Sequence, residues 1–224
     1  MRFFNIVLAT LLVALSACQT APKKDAEQAT EKAIEPVVLS AKEQLLQSAN
    51  KYQQADVPEA IKPQFERALK LKQAGEFQLA KQHFTNIALQ YPTLSGAHLQ
   101  LAYIAKHNGK QDEYTQHLDA ALAANKYNYF AANELALVAR ENGQFADALA
   151  LYDQAISSWP GFAPSYINKG ILLDIYLGEK AKAKAAYQTY LMLIPQDVPS
   201  YRQVSTWLLD LEHQLKETQG ASNE

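Results

Sequence analysis

At 224 residues and 48% hydrophobic side chains, the chain carries enough apolar material for one sizeable core or an elongated array, which excludes an intrinsically disordered protein. Its 21 Lys and Arg against 23 Asp and Glu leave a formal charge of −2, so it lacks the broad basic footprint that phosphate backbones select, and no nucleic-acid partner is expected. A single cysteine, Cys18, excludes an intramolecular disulfide and any cysteine-rich zinc or iron–sulfur site.

The chain opens with Met1-Arg2, a short basic start. Phe3 to Ala14 is apolar apart from Asn5 and Thr10, and the small residues Ser16 and Ala17 follow, as in a signal peptide. The apolar stretch falls short of the roughly 20 residues that span a hydrocarbon core, so it does not read as a permanent anchor. Leu15-Ser16-Ala17-Cys18 resembles the lipobox of bacterial lipoproteins. That resemblance implies removal of residues 1–17 and lipidation of Cys18, with acyl chains holding the protein to a membrane at about 0.8 kcal/mol per buried methylene. Gln19 rather than Asp after the cysteine implies, by resemblance to diderm lipoproteins, an outer-membrane location facing the periplasm. Residues 18–39 read as a solvated tether, since Ile34 is the one large aliphatic residue between Thr20 and Pro36. An N-terminal helix is expected over 40–60. Ser40 and Glu43 form a capping box, and Leu45, Leu46, Ala49 and Tyr52 fall on one stripe that runs toward Pro58.

From there the chain repeats. Glycines at 75, 109, 143 and 178 are separated by 34, 34 and 35 residues. Five positions after each stands Ala80, Tyr114, Ala148 or Ala183, and nine positions after stands Phe84, Leu118, Tyr152 or Tyr187. Pro92, Pro160 and Pro195 close three of the four blocks. Glycine can end the first helix of a pair in the left-handed conformation, alanine permits close helix approach, and proline stops the second helix. In period, residue type and position, residues 61–197 resemble the tetratricopeptide repeat (TPR). The fold class expected is all-α: a TPR superhelix of about four helix hairpins with the extra N-terminal helix and a C-terminal capping helix over 198–217. Val204, Trp207, Leu208 and Leu211 supply the inner stripe of that cap, and a polar tail, 218–224, follows. Tyr114 in place of alanine and Lys126 in place of proline predict that the second helix of repeat two runs on or packs loosely. The extra residue before Gly178 and Lys169 at a usually apolar position predict distortion in repeat four.

The five histidines show no metal-ligand spacing, and neither a phosphate loop nor a nucleophile elbow is present. No enzyme activity, metal or cofactor is expected. By resemblance to TPR proteins the first helices line a concave groove. At helical spacing that stripe reads Leu99, Gln100, Tyr103 and His107, then Asn133, Glu134, Leu137, Arg140 and Glu141, then Ile167, Asn168, Ile171 and Asp174. Its mixture of aliphatic, amide and charged groups suits a peptide or helix of an envelope protein. Chaperone-binding TPR domains clamp a carboxylate with Lys and Asn in their first repeat. Phe65 and Leu69 hold those positions here, so that specialisation does not carry over. The resemblance implies either a membrane-tethered scaffold for an envelope machine, as in pilotin-type lipoproteins of pilus and secretion systems, or an adaptor that recruits a periplasmic peptidoglycan hydrolase or protease.

Overall fold

A computed structural model describes residues 39–53 and 58–221. The signal segment, Cys18 and the tether up to residue 38, and the last three positions, lie outside the described residues. Among the described residues ten α-helices run in order: α1 Ala41–Gln47, α2 Lys62–Gln73, α3 Phe77–Gln90, α4 Ser95–His107, α5 Gln111–Ala124, α6 Tyr129–Glu141, α7 Phe145–Ser158, α8 Ala163–Ile171, α9 Lys180–Leu193 and α10 Pro199–Ala221. A single 3-10 turn, Glu59–Ile61, leads into α2.

The hairpins α2–α3, α4–α5, α6–α7 and α8–α9 each turn on one of the repeating glycines, all with positive φ between 68 and 82°. The turn is closed by a backbone bond that leaps over the glycine. Glu76 N–H reaches the Leu71 carbonyl, Lys110 that of Ala105, and Gln144 that of Ala139, at 2.9, 3.0 and 2.8 Å. In the fourth hairpin Glu179 N–H reaches Leu173, one residue further back. The surplus residue is absorbed by a π-helical turn, Leu172–Tyr176, at the end of α8, with Leu177 N–H bonded to the Leu172 carbonyl at 3.1 Å. Repeat four is therefore distorted where the sequence places its insertion. Lys169 there pairs with Asp153 of α7.

The small and large positions of the second helices meet the first helices as the periodicity requires. Ala80, Phe84, Leu118, Ala148, Tyr152 and Ala183 are fully buried, and Tyr114 and Tyr187 are 2% and 1% exposed. Each hairpin contributes to clusters shared with its neighbours, such as Ala136, Ala139, Ala148, Tyr152 and Leu172, so no hairpin buries its apolar face alone. The α10 cap packs on α9 through Val204 and Leu211, both buried, with Trp207 centred 5.9 Å from Tyr187. It continues past residue 217 to Ala221.

Two expectations are corrected. The second helix of repeat two neither runs on nor packs loosely: α5 stops at Ala124, and Asn125 takes over the task of proline. Its backbone turns extended, and its side-chain carbonyl accepts the Tyr127 N–H at 2.9 Å. Tyr114 fits because its hydroxyl donates to Glu134 of the next repeat. The N-terminal helix is the second correction. Its capping box is present, with Ser40 N–H donating to the Glu43 carboxylate at 2.8 Å and Glu43 N–H donating to Ser40 Oγ at 3.3 Å. The helix nevertheless ends at Gln47, because Ser48 turns extended, so Ala49 and Tyr52 leave the predicted stripe.

Candidate functional site

Where one second helix ends and the next first helix begins, short polar links tie neighbouring repeats together. The buried Asn128 caps α6 by accepting the Ala131 N–H at 3.1 Å, and its amide donates to Ser95 Oγ of α4 at 3.2 Å. One repeat further on, Asn133 accepts from Ser165 Oγ and from the Asn168 amide, both at 3.1 Å. Asn133 is 4% exposed and its carbonyl is fully used, so this predicted groove residue, with Asn168, fixes the α6–α8 register rather than waiting for a ligand.

Beside these links lies a cavity of about 700 Å³. Its walls are Phe65 of α2, Gly96, Leu99 and Gln100 of α4, and Phe130 of α6. Phe65 stands edge-on to Phe84 at 5.3 Å, which anchors the wall in the core of the first hairpin. Gln100 is held by Lys72 of α2, whose ammonium also lies 5.5 Å from the ring centre of Tyr103. Burial lowers the proton affinity of Lys72 and raises that of the Tyr103 hydroxyl, the latter reinforced by the nearby Glu134 and Tyr52. Tyr103 is therefore a neutral hydroxyl at physiological pH, suited to hydrogen bonding and to covering apolar groups.

The rest of the predicted stripe divides. Leu137 packs into the cluster of Tyr152 and Leu172. Arg140 lies 5.9 Å from the ring of Tyr176 in the π-turn, and its buried Nε and Nη1 have no hydrogen-bond partner. Ile167 joins the core of the last hairpin. Ile171 and Asp174 line a second cavity of about 320 Å³ against Trp207 and Leu211 of α10. Asp174 there accepts from Lys180 Nζ at 2.6 Å and from the Tyr187 hydroxyl at 3.3 Å. Three further residues also lie outside both cavity walls. His107 stacks on Phe77 with centroids 3.9 Å apart, Glu141 is exposed at the end of α6, and Glu134 takes the Lys106 ammonium at 2.8 Å and the Tyr114 hydroxyl.

Phe65, Phe130 and Tyr52 are among the wall residues that the predicted stripe omits. Phe130 precedes Asn133 by three positions and so continues the stripe by one turn, a signal present in the sequence. Tyr52 had no such signal, because it arrives from outside the repeats. Among the described residues no cluster of three or more His, Cys, Asp or Glu could hold a metal, and no helix is long and apolar enough to cross a membrane.

Glycine-turned helix pairs with interlocking alanine and aromatic positions, stacked and capped, define a TPR superhelix. Solved structures agree. The chain is similar to that described in a functional characterization of Pseudomonas aeruginosa pilF, at 21% identity and a TM-score of 0.58, covering 71% of this chain and 70% of that one. It is similar as well to PilW, a widely conserved type IV pilus biogenesis factor, at 17% identity and TM-score 0.58, covering 75% and 80%. MamA matches at 17% identity and TM-score 0.52, over 70% of this chain and 97% of that one. No family model matches the sequence, and no curated protein does.

Proposed function

We propose that this protein is a TPR scaffold, tethered to the bacterial outer membrane on its periplasmic side through an acylated Cys18, which holds a segment of an envelope protein during pilus or secretion-system assembly. The observation that carries the reading is the cavity of about 700 Å³, whose walls come from three successive first helices and whose lining mixes aromatic rings with the Gln100 amide. Stacked rings and amides of this kind give a peptide apolar anchors and hydrogen bonds to its backbone. The lipobox-like Leu15–Cys18 motivates the tether, and the likeness to PilW, itself a pilus biogenesis factor, motivates the machine.

The test pairs two variants. Tyr103→Ala with Arg140→Ala should keep helicity while losing the envelope protein that the wild type captures, with a drop of about thirtyfold or more for two hot-spot residue types. Tyr103 adjoins the cavity through Lys72 and Gln100, and Arg140 continues the predicted stripe along α6, so undiminished capture by that double variant would refute the groove reading. Cys18→Ser should yield an unprocessed precursor without acyl label, and normal processing of it would refute the tether.

A further inference from the structure

The wall of the cavity that does not belong to the repeats is a strap formed by Ser48–Gln53, and it is bound as a ligand would be. Lys51 N–H donates to the Ser158 carbonyl at the end of α7 at 3.0 Å. The Asn50 amide donates to the Tyr129 hydroxyl at 3.4 Å, while its carbonyl accepts the N–H groups of Tyr52 and Gln53, both at 3.1 Å. This turn drives Tyr52 inward. Its ring meets Tyr129 edge-on at 5.7 Å and Phe130 at 6.3 Å. Gly96 borders the seat, where a Cβ would stand in ordinary contact, 3.4 Å from the Tyr52 oxygen and 3.5 Å from Phe65. Strap main chain, amide and ring thus use the end of α7 and the starts of α4 and α6.

We infer that the strap is a built-in competitor for the inner face, and that the partner recognised there is a short turn-forming peptide segment whose tyrosine or phenylalanine takes the place of Tyr52. This rests on the groove reading above and specifies its ligand. An aromatic anchor fits because the seat is walled edge-on by Tyr129 and Phe130. Displacement is feasible because Lys51 and Gln53 on either side are exposed and the strap has few bonds to lose. A covalently linked competitor acts at an effective concentration in the millimolar range, so it sets a threshold that weak, non-aromatic segments fail to pass.

The test uses a synthetic peptide of residues 47–54, Gln-Ser-Ala-Asn-Lys-Tyr-Gln-Gln, added to the isotope-labelled full chain and followed by amide NMR shifts. Tyr52→Ala empties the seat. The peptide should then move the amides of Ser95, Gly96, Leu99 and Phe130, with an affinity about tenfold or more above that for the wild type. Tyr52→Phe keeps a ring in the seat and should respond as the wild type does. A peptide with alanine in place of its tyrosine should move none of these amides. Asn50→Ala loosens the strap without touching the ring and should raise the peptide affinity in the same direction, which provides the test if Tyr52→Ala does not melt cooperatively. Equal peptide responses in wild type, Tyr52→Ala and Asn50→Ala, or none in any of them, would overturn the inference. The two readings fail separately: partner loss in Tyr103→Ala/Arg140→Ala without peptide competition removes only the strap, and competition with full partner capture removes the groove as the partner's site.

Discussion

Gly170→Ala sets two known effects against each other at the tightest point of the last hairpin. Alanine in place of glycine inside a helix gains up to about 1 kcal/mol from lower backbone entropy in the unfolded chain. Against this, a Cβ at position 170 would lie 2.5 and 2.6 Å from ring carbons of Tyr187, where real Cβ atoms are not found. The Tyr187 ring borders the cavity of about 320 Å³ but is held on its other sides. It is 1% exposed, its hydroxyl bonds to Asp174, and Trp207 of the cap covers it. Overpacking of a filled core costs about 1 to 3 kcal/mol, and a clash against a pinned ring belongs at the upper end. The net effect is a loss of about 1 to 2 kcal/mol, or a melting temperature lower by about 2 to 8 °C for a chain of this size. Thermal and urea melts followed by circular dichroism read it directly. Tyr187→Leu in the same background should recover part of the loss, so that the double variant falls short of the sum of the singles. If Gly170→Ala melts above the wild type, propensity has won, and α8 and α9 do not cross as closely as described.

Ala148→Phe should cost about 1 to 3 kcal/mol by overpacking α6 against α7; a melt unchanged from wild type would break the repeat register there. Tyr114→Phe removes a hydroxyl bonded to a carboxylate and should lower stability by about 1 kcal/mol in a urea titration, whereas no change would mean that Lys106 alone satisfies Glu134. Gly143 has φ of +74° with open space around a would-be Cβ, so Gly143→Ala should cost about 1 to 2 kcal/mol from backbone strain alone, and Gly143→Asn less, as urea midpoints would show. The Glu113 carboxyl is held down to about 2 by hydrogen bonds from Lys110 and Lys81, below its ordinary 4.5. A depressed folded value means stability present above the unfolded value and lost as pH falls, here between about 4.5 and about 2. Glu113→Gln should therefore be less stable than wild type near neutrality, with the gap in urea midpoint closing on acidification; a gap that widens in acid would refute the assignment.

The repeat is legible in the sequence because each of its marks answers a local demand. A left-handed turn wants glycine, a close helix crossing wants alanine, and a helix end wants proline, so Gly143, Ala148 and Pro160 announce their hairpin without knowledge of its neighbours. The insertion before Gly178 and the cap stripe of Val204, Trp207 and Leu211 were readable for the same reason. Periodicity also brought Leu99, Gln100 and Tyr103 to the cavity region, since a fixed helical register points them together. It could not say which stripe residues are consumed by neighbours. Asn133 is spent on Ser165 and Asn168, and Glu134 on Lys106 and Tyr114, across sequence separations of 20 to 35 residues. Those pairings depend on how far one hairpin is rotated against the next, which no single repeat encodes. Tyr52 is the clearest case. Local pattern assigned it to a helix stripe, whereas the seat formed by Tyr129 and Phe130, and the Ser158 carbonyl available to Lys51, draw the segment into a turned, non-helical strap. A short helix at the start of the chain has few intrahelical bonds to defend, so tertiary contacts from two separate repeats decided its end and brought an aromatic ring into the groove.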